Sequence, residues 1–133
     1  LSGRSKKWIK FKCLPRQEAV VGGYTEPRGG RLGFGALLVG YYEGERFKYA
    51  GKVGTGFDER ALKELSPVLH RLSRRTTPFA DFASARSAPP VHWVRPKVVC
   101  EVAFDGWTEE GRLKYPRFVA VKKDRDPRQV TAA

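Results

Sequence analysis

Residues 36–72, ALLVGYYEGERFKYAGKVGTGFDERALKELSPVLHRL, change their hydrophobic period partway along. ALLVGYY reads as a mostly buried strand, EGE turns the chain tightly, and RFKYAGKV returns as a second strand. Alternation along that second strand puts Phe47, Tyr49 and Val53 on one face and leaves Arg46, Lys48 and Lys52 as a basic stripe on the other. Asp58 then fits an N-cap, Glu59 suits the positive end of a helix dipole, and Ala61, Leu62, Leu65, Leu69 and Leu72 recur with helical period. Pro67 has no N–H to donate within a helix, so the pattern predicts two short helices or one kinked helix. The glycines of GKVGTGF, between strand and helix, lack both the Walker ending and the dinucleotide spacing, and they read as a structural turn.

Upstream, RQEAVVGGY (16–24) is expected to be a strand whose Gly22-Gly23 pair permits a bend or bulge. TEPRGGRLGFG (25–35) follows as a mobile basic loop carrying Arg28 and Arg31. Downstream, TTPFADFASARSAPP (76–90) shows no period and reads as a loop. VHWVRPKVVCEVAFDGW (91–107) predicts one long strand with Val98, Cys100, Val102 and Phe104 on a shared face. TEEGRL (108–113) is a turn with Gly111 at a positive φ, and RFVAV (117–121) is a last strand running into KKDRDP, where Pro127 stops it. Three strands, a helix and two strands is the order of an OB-fold: mainly β, a five-stranded Greek-key barrel with a helix between strands 3 and 4. Arg28 and Arg31 then lie in the loop joining strands 1 and 2, where such barrels commonly meet their ligands.

A chain of 133 residues fits a single domain with one real core. Its 26 Lys and Arg against 14 Asp and Glu give a net charge of +12, concentrated toward the ends. Arg4, Lys6, Lys7, Lys10, Lys12 and Arg16 precede the first acid, and Arg112, Lys114, Arg117, Lys122, Lys123, Arg125 and Arg128 face only Asp124 and Asp126. Basic termini on one compact domain suggest a phosphate-rich partner, because Lys and Arg gain affinity by releasing counterions from a nucleic-acid backbone. No apolar run is long enough for a spanning helix and no signal peptide is evident, so a cytoplasmic protein is expected. Cys13 and Cys100, with His70 and His92, have no zinc-ligand spacing, and the two cysteines read as buried free thiols. No nucleophile and base fall into an arrangement for catalysis, and Glu109-Glu110 sits in a turn where solvated charge is the expected role.

WIKFKC (8–13) raises a separate question. As a strand it places Lys10 and Lys12 on one face about 7 Å apart, which by itself reads first as a solvated strand face and second as a spacing suited to a polyphosphate or nucleic-acid backbone. This segment, with GGYTEPRGGRLGFGALLVG, YAGKVGTGF, TTPFADF, WVRPKVVCEVAFDGWTEEGRLKYPRF and VKKDRDP, resembles in order the C-terminal part of the ligase module of the bacterial ligase D family. These are the ATP-dependent DNA ligases of bacterial non-homologous end joining. The resemblance runs from Trp8 to Val130.

It implies that residues 1–15 are the last strand of an adenylation domain and residues 16–133 an OB-fold domain. Lys10 and Lys12 then correspond to the last nucleotidyltransferase motif, which contacts the α-phosphate and its neighbours. The family's terminal Arg-any-Asp-Lys motif falls on Lys122-Lys123-Asp124-Arg125, implying that Lys122, Asp124 and Arg125 orient the β- and γ-phosphates of ATP. The two basic types are exchanged here, which keeps the charge but changes the hydrogen-bond geometry. Arg28, Arg31, Lys48 and Lys52 are the residues expected to grip DNA. The Lys-any-Asp-Gly nucleophile and the metal-binding carboxylate motifs do not occur, so the chain is expected to be a piece that cannot adenylate itself. The implied setting is a complete enzyme using ATP and Mg²⁺, neither tightly bound to this chain. Its implied partners are duplex DNA with nicks or ends, an upstream adenylation domain, Ku, and polymerase or phosphoesterase modules near the nucleoid.

A rival reading is a non-enzymatic module for single-stranded nucleic acid, with Trp8, Phe34, Tyr41, Tyr42 or Trp93 stacking on bases. Against it, Phe34 and Tyr49 are expected to build the barrel core. An RNA-capping fragment shares the fold and the lysine pair but lacks the matched segments.

Overall fold

The structure, a computed structural model, describes residues 15–26, 33–80, 91–122 and 125–130. Three strands form an antiparallel meander: β1 (Arg16–Thr25), β2 (Leu37–Glu43) and β3 (Arg46–Val53). A helix, α1 (Glu59–Arg71), comes after them. Two short strands come next, β4 (Ser73–Arg74) and β5 (Val91–Val94), then β6 (Val99–Ala103) and β7 (Arg117–Val121). A 3-10 turn spans Pro127–Gln129.

The N-terminal half of β1 pairs with β6, and β6 with β7. The ring closes where the Phe118 amide donates to the Thr55 carbonyl at 2.9 Å and the Leu113 amide to Ala50 at 2.8 Å. Five strands, β1-β2-β3 and β6-β7, therefore make the expected OB barrel, with α1 between its third and fourth strands. Closure depends on Gly56, at φ +94, whose Cβ position lies 2.4 Å from the Phe118 carbonyl oxygen. Only glycine fits there, which gives Gly56 of GKVGTGF the structural role read from the sequence.

Of the two forms expected, the helix takes the single one. It runs unbroken through Pro67, with Asp58 as N-cap: Asp58 Oδ1 accepts from the Ala61 amide at 2.8 Å. Leu62, Leu65 and Leu69 are buried in one core with Val20, Leu37, Val53 and Val99. That packing outweighs the hydrogen bond a proline removes. The long strand expected over 91–107 is divided, because Arg95–Val98 turn at Pro96 and separate β5 from β6. β5 adds to the C-terminal half of β1 outside the barrel, and β4 pairs with β5.

Three register shifts interrupt the barrel ladders; one lies between β6 and β7, at Glu101 and Val102, and the other two bear on the faces expected from the sequence. The first, at Gly22, shifts the β1-β2 register as the glycine pair suggested. A second, unexpected one leaves Ala50 as the extra residue, since Gly40 faces Tyr49 while Val39 faces Gly51. A bulge reverses alternation beyond it. The basic stripe is thereby overturned: Arg46 and Lys48 share the face of Tyr41 and Glu43, whereas Lys52 joins the opposite face with Leu38, Tyr49 and Phe47.

Phe79, in the segment expected to be loop, is only 3% exposed. Its ring stacks on Phe47 at 4.7 Å and meets Tyr49 and Trp93 edge-on. Cβ atoms at Gly22 and Gly40 would lie 2.5 and 2.8 Å from that ring. Two glycines on neighbouring strands thus clear a seat for one aromatic side chain, and Ala80 ties the strap down by donating to the Phe47 carbonyl at 2.7 Å.

Candidate nucleotide and nucleic-acid interface

β1 and β6 bring Glu18 and Glu101 directly opposite one another. Around them gather cations from two parts of the chain. Arg16 Nη1 lies 3.7 Å from Glu101 Oε2, and Lys122 Nζ lies 3.9 Å from Glu101 Oε1. Arg125 Nε donates to Glu18 Oε1 at 2.6 Å, and its Nη1 reaches Gln129 Oε1 at 3.4 Å. All three cations remain substantially open to solvent, the condition for meeting a second anion.

The backbone fixes both ends of this terminal segment. Lys122, just past β7, donates its amide to the Val99 carbonyl at 2.8 Å. At the far end Val130 is buried, and its carbonyl accepts from the Tyr42 amide at 2.7 Å. Lys122 and Arg125, expected together from the motif, are thus brought to one carboxylate pair. Asp124 lies outside the described residues, as do Lys10, Lys12, Arg28 and Arg31. Lys48 and Lys52 occupy opposite faces of β3, and Lys48 is within 3.7 Å of Glu43.

Two features escaped the sequence reading. A cleft of ≈ 520 Å³ runs between α1 and the β6-β7 pair, floored by Leu65, Val99 and Val121 and rimmed by Lys63, Arg71, Lys97 and Lys122. Lys63 and Arg71 are separated by two helical steps of four, so helical spacing could have placed them on one face. Tyr115 is 82% exposed and holds φ +49, a conformation that costs a bulky side chain energy. Hydrogen bonds of Lys114, to the Gly106 carbonyl and from the Asp105 amide, both at 2.8 Å, hold the residue beside it. The stretch KYPR, an aromatic before proline among cations, was the available signal.

Elsewhere the chemistry is quiet. Burial pushes the Cys100 thiol up to about 12, so it stays protonated and unreactive; Cys13 lies outside the described residues. The Tyr49 hydroxyl is raised by burial, opposed by Arg112, whose guanidinium sits 5.0 Å from the ring centre. Among the described residues no three His, Cys, Asp or Glu side chains converge as a metal site. No described helix is long and apolar enough to cross a membrane.

Residues 30–125 match the model of the ATP dependent DNA ligase C terminal region. The chain is 44% identical over 133 residues to the multifunctional non-homologous end joining protein LigD of Pseudomonas aeruginosa, covering 98% of this chain and 16% of that protein. Its fold superposes on the crystal structure of the ligase domain from M. tuberculosis LigD with a TM-score of 0.82 at 35% identity, covering 90% of this chain and 39% of that one. A mycobacterial DNA ligase D complexed with ATP and MES gives 0.79 at 34% identity, over 91% and 38%. With its five-stranded barrel, its helix between the third and fourth strands and these matches, the chain belongs to the family of ATP-dependent DNA ligase C-terminal regions.

Proposed function

We propose that this chain is the OB-fold end of an ATP-dependent DNA ligase acting in double-strand break repair by non-homologous end joining. In that enzyme residues 1–15 complete the adenylation domain and residues 16–133 form the OB domain. The observation that carries the reading is the gathering of Lys122 and Arg125 on the barrel wall, open to solvent and fastened by backbone hydrogen bonds on either side. Both cations would meet the ATP β- and γ-phosphates, with Asp124 beside them and Lys10 and Lys12 nearer the α-phosphate. ATP supplies the adenylyl group, which passes to a lysine of the upstream domain as pyrophosphate leaves. Cations fixed beforehand stabilise the charge gathering on the departing phosphates without reorganising. Mg²⁺ belongs to the complete enzyme; the described residues do not fit it, since no three His, Cys, Asp or Glu side chains converge among them.

The second role is a grip on nicked duplex, with Arg28, Arg31 and Lys52 as candidate phosphate contacts and Tyr115 as an exposed aromatic among cations, while Lys48 stands on the other face of β3 beside Glu43. Duplex is favoured over unpaired bases because, of the aromatics named for a stacking platform, those among the described residues are engaged. Phe34 and Tyr41 are buried, and Trp93 packs on Phe79. Ku, polymerase and phosphoesterase modules and a place at the bacterial nucleoid belong to the same reading.

The test separates the steps in the complete ligase. Arg125→Ala and Lys122→Ala should each lower lysine adenylation at least tenfold, the scale of a lost transition-state charge contact. Each should leave sealing of a pre-adenylylated nick within a few-fold of normal. Equal losses in both steps would count against a role at the ATP phosphates.

A further inference from the structure

Two carboxylates directly across an antiparallel pair repel one another, yet Glu18 and Glu101 occupy that relation with side chains only 30% and 21% exposed. Arg16, on β1 itself, compensates one oxygen of Glu101. The other compensating cations, Lys122 and Arg125, both arrive from the terminal segment. The barrel wall therefore carries an acidic pair matched to the cations delivered there.

We infer that Glu18 and Glu101 are positioning residues for the adenylation step, Glu18 fixing the Arg125 guanidinium and Glu101 the Lys122 ammonium. The inference rests on the proposed role of those two cations at the ATP phosphates. Guanidinium geometry makes it specific. Glu18 takes the Nε edge at 2.6 Å and Gln129 meets Nη1, so Nη2 above all is what the group offers a phosphate. A planar fork held by one edge keeps its orientation, which a lysine held at a single nitrogen does not. This gives a physical reason for arginine at the position where the family motif has lysine: here the cation is anchored and presented through different nitrogens.

The experiment measures lysine adenylation against ATP concentration in the complete ligase, with thermal melting and sealing of a pre-adenylylated nick alongside. Glu18→Ala should raise KM for ATP about fivefold, the scale of a half-exposed charge-assisted hydrogen bond. Saturated rate, melting temperature and nick sealing should stay close to the parent. Glu18→Gln keeps an acceptor for Nε and should recover most of the loss; Glu101→Gln should raise KM about twofold through the longer Lys122 contact. An unchanged KM overturns the inference. So does a lowered KM, which would make the carboxylate a competitor of phosphate, or a fall in every step together with melting, which would make it merely structural. Arg125→Ala in the same assay keeps the two readings apart. If it leaves both KM for ATP and the saturated rate of adenylation unmoved, the proposed role at the phosphates fails; if it changes either while Glu18→Ala leaves KM alone, only the positioning role fails.

Discussion

The two halves of β1 solve opposite problems. Its C-terminal half, around Gly22 and Gly23, lies beneath Phe79 in an aromatic cover held by shape. Its N-terminal half carries Glu18 beside Glu101 and is held by charges from elsewhere in the chain. The first is an interior that needs nothing from its surroundings. The second is a surface whose cations remain available to another anion. One strand thus joins a permanent seam to an exchangeable one, and substitutions in the halves should show as stability in one and as substrate response in the other.

The largest expected effect is on the covered side. Phe79→Ala should destabilise this chain by about 3–5 kcal/mol in urea unfolding, the range for emptying a buried aromatic site; a loss under about 1 kcal/mol would mean the strap is not part of the core. Gly56→Ala, which forces a Cβ against the Phe118 carbonyl at a positive φ, should cost roughly 2–4 kcal/mol by opening the barrel seam.

Cys100 sharpens the contrast through pH. Its folded pKa is raised from 9.0 to about 12, so the folded state holds the proton that the unfolded state releases. Stability from this group is fully present below pH 9 and declines as pH rises through the window to 12, at about 1.4 kcal/mol per unit. Urea unfolding at about pH 8 and about pH 10 should show the decline, and Cys100→Ala should remove that part of it.

Smaller effects belong to the open side. Because the Ala50 bulge separates Lys48 from Lys52, one flat duplex surface cannot use both. Lys52→Ala should weaken binding to nicked duplex about threefold at low salt, as for a lost phosphate contact, while Lys48→Ala should change it little. Equal losses at both would show that the partner wraps around β3. Smallest of all, Arg16→Ala should alter stability by less than about 0.5 kcal/mol, as expected of an exposed ion pair.

Much of this organisation was legible in the sequence. The β2-β3 hairpin, the Asp58 cap, the bulge at Gly22 and the positive φ of Gly111 follow from local chemistry, and each is found. The features that escaped depend on distant partners. Nothing local marks Ala50 as an extra residue, because the bulge is a relation between two strands, and so the stripe of Lys48 and Lys52 was misread. Phe79 has no periodic neighbours; its seat is made by glycines on β1 and β2. Pro67 left two short helices or one kinked helix open, and the packing of Leu62, Leu65 and Leu69 in one core goes with the single helix. At the candidate site the basic residues were legible as a motif, but Glu18 and Glu101 were not, since no spacing in the chain announces which acid will face which.

The fastening of the terminal segment at Lys122 and again at Val130 has a consequence for entropy. A chain held at one end sweeps a broad volume, and a ligand that fixes it must oppose that freedom. With Lys122 and Val130 both hydrogen-bonded to the barrel, Arg125 is tethered on either side, and part of its freedom was already lost when the barrel folded. Freeing the far end, by truncating the chain just before Val130, would leave every ion pair possible and still weaken phosphate capture, because each encounter would have to gather a frayed tail.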